Sequence, residues 1–514
     1  DTKDEDTGSD VDVIGQFGVG FYSAFMVSEK VQVISRKYGE ESANSWESSG
    51  VDGYFISPCQ KDAVGTDVIL HLKEDTENDK YSDFLQEHTI VSIIKKYSDY
   101  IRWPIVMEVE KSRQVETDEV LPSGEKKKAW ESYREKDIIN SQVPIWQRSK
   151  KDAPDEECFK FYKDKFFDFD DPLSVIRVNA EGTVSYKAML FVPKTAPYDY
   201  YTRDYKPGLQ LYSSGVMIME KCPDLVPEYF RFVRGVVDSP DLSLNISREI
   251  LQHSRQLSII EKNLEKKIKS ELERMRDNEP EKYETFFKSF CLQLKYGVVG
   301  AYGGNNDLLC DLLLFYSSKE KKLVTLKQYA DNMAEDQKYI YFASGESVQK
   351  IDSLPQAEPL KDLGYDILYL TDSVDEFVVN TLMKYNDKEF KSVNDDDLGL
   401  ETQEEKENAD KIQEENSELL GFVKEKLGDK VAQVKISHKL KSYPVCLSAQ
   451  GGVSFEMERY LSFLPNSGDS VKAQRVLELN PSHSAFEGLK NAYESDREKA
   501  SKYVQLLYGQ ALIL

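Results

Sequence analysis

The chain has 514 residues and a mass of 59.0 kDa, which at roughly 150 residues per domain points to about three domains rather than one core. Its 91 acids against 67 lysines and arginines leave a formal charge of -24, which argues against broad contact with a nucleic-acid backbone or an anionic membrane surface. The six cysteines, never closer than 19 residues, exclude a zinc spacing and a dense disulfide framework and fit a reducing, cytoplasmic setting.

Apolar residues make up 40% and aromatic residues 11% of the chain, too much for a disordered polymer. No apolar run reaches the roughly 18 residues that read as a membrane span. The opening DTKDEDTGSD is too acidic for a signal peptide. Because the chain starts at Asp1 and stops inside the apolar stretch YVQLLYGQALIL, both ends are expected to be cut.

In chain order, a glycine-rich turn from Gly15 to Gly20 opens into FYSAFMV and then VQVISRK, a loop, helix and strand. TDVILHLK, with Val68, Leu70 and Leu72 alternating, is a second strand. Segment 81–101 reads as an amphipathic helix, and RWPIVMEVE as a strand up to about residue 110. Residues 111–140 carry Pro122-Ser123-Gly124 and the run Glu125 to Lys128, the composition of a solvated linker.

From 141 a mixed region is expected, with strands at 174–179, 183–193 and 209–219. A long helix follows, where Leu257, Ile260, Leu264, Ile268, Leu272 and Met275 recur at three- and four-residue spacing before Glu279-Pro280. KYIYFAS and YDILYLT are short apolar runs of α/β type. Residues 395–418 hold eleven acids and two lysines, a spacer or solvated helix. The remainder mixes the strand segment PVCLSAQ with helices. The fold class is therefore α/β and α+β, multidomain, with parts at 1–110, 111–140, 141–394 and 395–514.

Two clusters bear chemistry. Gly15-Gln16-Phe17-Gly18-Val19-Gly20-Phe21 has the spacing GxxGxG, in which residues lacking a Cβ let successive backbone N–H groups converge on phosphate oxygens. The same glycines suit a tight turn into a packed helix. Neither the dinucleotide-binding order nor a P-loop occurs. In Ser243-Leu244-Asn245-Ile246-Ser247-Arg248-Glu249-Ile250-Leu251-Gln252, Arg248 and Gln252 lie four apart on one helical face. An arginine there offers a planar, permanently charged fork to phosphate, or pairs locally with Glu249.

IGQFGVGFYSAFMV, SSGVMIMEKCPDLVPEYFRFVRGVVDSPDLSLNISREILQ and DLLLFYSS closely resemble the heat-shock protein 90 chaperones, bacterial members above all, and the resemblance runs over essentially the whole chain. It implies an amino-terminal ATP-binding α/β sandwich of the kind shared with DNA gyrase and histidine kinases, an α/β middle domain, and a mostly helical carboxy-terminal dimerisation domain. It implies a homodimer that clamps unfolded or partly folded client proteins, with ATP and Mg²⁺ as cofactors.

Carried over by residue, the resemblance makes Gly15 to Phe21 the loop that closes the ATP lid, Thr66 the threonine under the adenine, and Arg248 the arginine reaching the γ-phosphate with Gln252 beside it. Trp146 resembles a tryptophan near the junction with the nucleotide domain, and equally suits a core. The family's general-base Glu, Mg²⁺-binding Asn and adenine-binding Asp lie upstream of the glycine loop, and no matching segment exists here; Asp6-Thr7-Gly8 lacks the second glycine. A molecule beginning at Asp1 is thus expected to lack turnover, with an ATP-independent holdase or interaction module as the alternative. In VSFEMERYLSFLP, Phe455 with Tyr460, or Met457 with Leu461, would fall on shared helical faces, as adaptable apolar surface or simply as core. The final run Tyr503 to Leu514 is expected to be covered by a twofold partner.

Overall fold

The computed structural model describes residues 20–51, 53–120, 126–242, 255–395, 398–400, 403–437, 439–462 and 472–513. They divide into two compact units: residues 1–193, 198–227 and 233–266 in the first, and 194–197, 228–232 and 267–514 in the second.

The first unit opens with a short helical turn, Gly20–Val27, and four strands, β1 Ser28–Arg36, β2 Ala43–Ser48, β3 Phe55–Cys59 and β4 Gly65–Leu72. These pair antiparallel in the order β3-β2-β1-β4, with Val33 opposite both Trp46 and Val68. The single helix expected over 81–101 is instead three pieces: a 3₁₀ turn Tyr81–Leu85, an α-helix Glu87–Ile93 and a π-turn Ile94–Ser98. Gln86 is extended between the first two, and Asp75 accepts from the Ser82 amide and hydroxyl at 2.9 and 2.7 Å, tying the first turn to the preceding loop. A local side-chain acceptor competes with the helical ladder, and periodicity does not register it.

The expected linker is likewise corrected. Its residues form a long antiparallel ribbon, β5 Val106–Val120 and β6 Lys126–Ile138. Charges sit across from one another: Arg113 bonds Glu131 at 2.8 Å, and Lys111 reaches Glu135 and Asp137 at 3.3 and 2.9 Å. A two-stranded ribbon wet on both faces has the composition of a solvated spacer, while cross-strand pairs hold its register.

A five-stranded sheet completes the unit: β7 Ser174–Ala180, β8 Tyr186–Val192, β9 Leu209–Ser213, β10 Val216–Cys222 and β11 Arg234–Asp238, in the order β10-β9-β11-β8-β7. The run 209–219 is a hairpin rather than one strand, because Ser214 and Gly215 take φ of 51° and 79°, the left-handed pair of a tight hairpin turn. Helix Asp155–Phe166 packs on this sheet through Cys158 and Tyr162, against Phe191, Tyr212 and Val236.

Helix Arg255–Asn278 bears the predicted stripe, with Leu257, Ile260, Leu264, Ile268, Leu272 and Met275 all buried. Pro280 then starts the next helix, Pro280–Gly300, where its missing N–H costs nothing. The second unit holds a six-stranded sheet of β12 Leu314–Ser317, β13 Leu323–Thr325, β14 Ile340–Ser344, β15 Ile367–Leu370, β16 Lys384–Tyr385 and β17 Lys388–Ser392, ordered β13-β12-β15-β14-β17-β16. The acidic stretch contains helix Gln403–Glu415. A three-stranded sheet follows, β18 Gln433–Ile436, β19 Val445–Gln450 and β20 Gln474–Leu479, with β20 central. Helices Ser417–Leu427, Ser484–Ser495 and Arg497–Ile513 share a core with it.

Candidate functional site

Of the glycine loop, Gly15, Gln16, Phe17, Gly18 and Val19 lie outside the described residues, as do Arg248 and Gln252. Gly20 and Phe21 are described. Gly20 begins the helical turn, Ser23 Oγ donates to its carbonyl at 2.5 Å, and a Cβ placed on it would meet no atom within 4 Å. Phe21 packs edge-on against Phe25 and Trp46, with ring centroids 6.0 and 5.5 Å apart. Thr66 lies on β4, its hydroxyl 2.8 Å from the Ser35 hydroxyl across the strand pair, in exposed surroundings. Around it Val68, Ile69 and Leu70 are all exposed, as are Phe55 and Ile56 on β3.

The segment carrying Arg248 springs from fixed stems. Before it, Asp238 ends β11 and accepts from Trp146 Nε1 at 3.2 Å and from Gln147 Nε2 at 3.0 Å. Asp241 accepts the Ser185 amide at 2.6 Å, and Gln256, just past the segment, donates to the Asp241 carbonyl at 2.7 Å. Both ends are thus anchored to the sheet and to the start of helix Arg255–Asn278. Sequence reasoning missed Asp238, Asp241 and Gln256, since isolated polar residues at element ends carry no periodic signal.

Trp146 is a core residue, 5% exposed, with its ring 4.5 Å from Tyr100 and 5.1 Å from Tyr212. Burial pushes both tyrosine phenols far up from their ordinary value.

In the second unit, helix Phe455–Ser462 starts at Ser454, whose hydroxyl accepts the Met457 amide at 3.0 Å and donates to Glu376. Burial raises the Glu376 carboxyl. Tyr460 packs tilted against Phe377 with ring centroids 5.2 Å apart and Asn380 reaches the Met457 sulfur at 3.8 Å, whereas Phe455 faces the Arg475 guanidinium at 5.2 Å. The expected grouping of Phe455 with Tyr460 is therefore replaced by Met457 with Tyr460, three apart on one face. The terminal run is corrected too: Val504, Leu507, Tyr508 and Ala511 are buried in the unit's own core, and among its described large apolar residues Leu506, Leu512 and Ile513 are exposed.

Among the described residues no group of three or more His, Cys, Asp or Glu could hold a metal ion, and no helix is long and apolar enough to cross a membrane.

A sequence model of the Hsp90 protein family matches residues 116–514, so the chain belongs to the Hsp90 family of molecular chaperones. It is 51% identical over 512 residues to the chaperone protein HtpG of Clostridium botulinum, covering 100% of this chain and 80% of that protein. The HtpG chaperones of Bacillus subtilis and Clostridium acetobutylicum are 52% and 53% identical over 98% of the chain, each covered to 79% of its length.

Proposed function

We propose that the full-length protein works as an ATP-driven chaperone, a homodimeric clamp on unfolded or partly folded proteins in the cytoplasm, with an ATP-independent holdase or interaction module as the alternative for this chain alone. In this reading 1–110 belongs to the ATP-binding domain, 111–140 to a connecting ribbon, 141–394 to the middle domain and 395–514 to the dimerisation domain.

The observation that carries the reading is the pair of anchored stems around 243–254. Asp241 and Gln256 are bonded at the two ends of the segment that carries Arg248, and the charge of an arginine there would serve where negative charge develops on a transferring phosphoryl group. ATP supplies the free energy. Backbone N–H groups of Gly15 to Phe21 would hold its phosphates, Thr66 would lie beneath the base, and Arg248 with Gln252 would meet the terminal phosphate. Among the described residues no group of three or more His, Cys, Asp or Glu stands ready for Mg²⁺.

Arg248→Ala should lower ATP turnover by about 10³-fold or more while changing nucleotide affinity little, because the arginine acts once the parts have closed. Unchanged turnover in this variant, with turnover present in the parent, overturns the role. The exposed Leu506, Leu512 and Ile513 supply an apolar strip for a second copy. Leu506→Glu with Leu512→Glu should shift sedimentation to the monomer, and an unchanged dimer removes this strip from the interface.

A further inference from the structure

The second unit contains a cavity of about 410 Å³ whose lining is of two kinds: apolar side chains, among them Ile351, Leu354 and Phe455, and polar acceptors, Gln356, Glu376 and Glu456. Its cations are already engaged. Lys350 and Arg459 both hold Glu346, Arg459 at 2.5 Å, while Arg475 holds Glu458 at 3.1 Å and lies over the Phe455 ring. Glu456 reaches Arg459 at 3.8 Å.

Glu376 differs from its neighbour in the chain. It is 7% exposed in the first turn of helix Asp375–Leu382, the Ser454 hydroxyl donates to it, and among the described residues no lysine or arginine pairs with it. Asp375, 2% exposed in the same turn, is bonded to Lys295 at 2.6 Å. A hydroxyl and a helix start ease the burial of a carboxylate, but they leave its charge without a counter-ion. Burial is the largest influence on the Glu376 carboxyl and raises it, and Glu456 raises it further.

Gln356 adds a second acceptor. It is 5% exposed, and its Nε2 donates to the Leu447 carbonyl at 2.9 Å, which fixes the orientation of the amide and leaves Oε1 buried without a partner. Asn394 Oδ1, on the same lining, is buried and unpaired as well. A buried acceptor left unpaired is costly, so this lining calls for a donor, and the carboxylate beside it calls for positive charge.

We propose that the cavity binds a small aliphatic amine, its ammonium meeting the Glu376 carboxylate and its methylenes lying along Ile351, Leu354 and Phe455. An ammonium carries three donors and no acceptor, the complement of this lining. The apolar wall selects a carbon chain over a bare ion. The inference stands apart from the ATP reading.

The test titrates the whole folded chain with pentylamine by calorimetry at neutral pH, with pentanoate as the apolar chain of opposite charge. Pentylamine should bind and pentanoate should not. Glu376→Gln keeps the size of the side chain and an acceptor for Ser454, and it should weaken pentylamine by about tenfold or more. Glu320→Gln, the same change at an exposed ion pair with Lys322, should leave the affinity as it is. Because Glu376→Gln strands no cation, its thermal unfolding should come no earlier than the parent's, which separates lost binding from lost fold. Nα-acetyl-lysine methylamide, the same ammonium on a peptide backbone, should bind more weakly than pentylamine. No binding of pentylamine, equal binding of pentanoate, or unchanged affinity in a folded Glu376→Gln overturns the proposal. Tighter binding of the lysine derivative assigns the cavity to a lysine of a protein partner and overturns the small-amine reading.

Discussion

The sheet β1 to β4 and the sheet β18 to β20 contain similar residues and are stabilised in different ways. On β4, Val68, Ile69 and Leu70 are 53%, 39% and 39% exposed, so both faces of the strand meet solvent. On β20, Val476, Leu477, Glu478 and Leu479 are all nearly inaccessible. The odd-numbered leucines enter the helical core, and Glu478 points into a polar knot with Ser437 and Ser448 at 2.7 Å each and Lys435 and Lys439 at 3.4 and 3.8 Å. An apolar alternation on a strand becomes stabilising only where a second layer removes it from water. The β1 to β4 sheet rests on its ladder and on Val31 and Ala43, whereas the last sheet rests on two buried faces.

The contrast breaks hardest at Glu478. Burial by itself pushes this carboxyl up, but Lys439, Lys435 and the two serine hydroxyls together outweigh it and hold it below its ordinary 4.5. Glu478→Gln would take the carboxylate charge from beside Lys435 and Lys439 in a dry site and should cost about 3–5 kcal/mol, seen as faster amide hydrogen exchange across β18, β19 and β20 with β1 to β4 unchanged. Leu477→Ala empties volume on the opposite face and should cost about 2–5 kcal/mol by the same measurement. If either variant speeds exchange equally in the first sheet, the two sheets do not differ as described.

Acid sharpens the comparison. Since the folded carboxyl of Glu478 lies below its unfolded value, its contribution is fully present above 4.5 and is lost as the pH falls through the lower folded value. The loss is at most about 1.4 kcal/mol per pH unit for one group. Exchange in β20 should therefore rise below pH 4.5 after correction for the intrinsic rate, and Glu478→Gln should abolish that extra rise. An identical acid response in the variant would assign it to other groups. Smallest of all, Val68→Ala on the open sheet should change stability by no more than about 0.5 kcal/mol; a loss of core size in thermal unfolding would mean that β4 is covered in solution.

Much was legible before any coordinates, where periodicity and burial agree. The stripe from Leu257 to Met275 and the strands around Val33, Ile340 and Ile367 lie where their patterns place them; the helix buries one complete face and the strands at Ile340 and Ile367 are buried on both. The pattern misled where local polar bonding or turn geometry intervened: at Gln86 and Asp75, at Ser214-Gly215, and along the charged ribbon whose pairs span Lys111 to Asp137.

By itself the sequence determined the family, through long motifs such as GVMIMEKCPDLVPEYF that only a shared ancestor reproduces over such a length, and it determined which residue types could meet a phosphate. Tertiary structure alone decided which apolar residues are paid attention by solvent, leaving Leu506 out and Leu507 in one residue apart. It alone also decided which lysines keep a carboxylate: Lys295 meets Asp372 and Asp375 from distant positions in the chain, and Lys165 meets two rings instead. A charge is set by what folding brings within a few ångströms, and no local spacing encodes that distance.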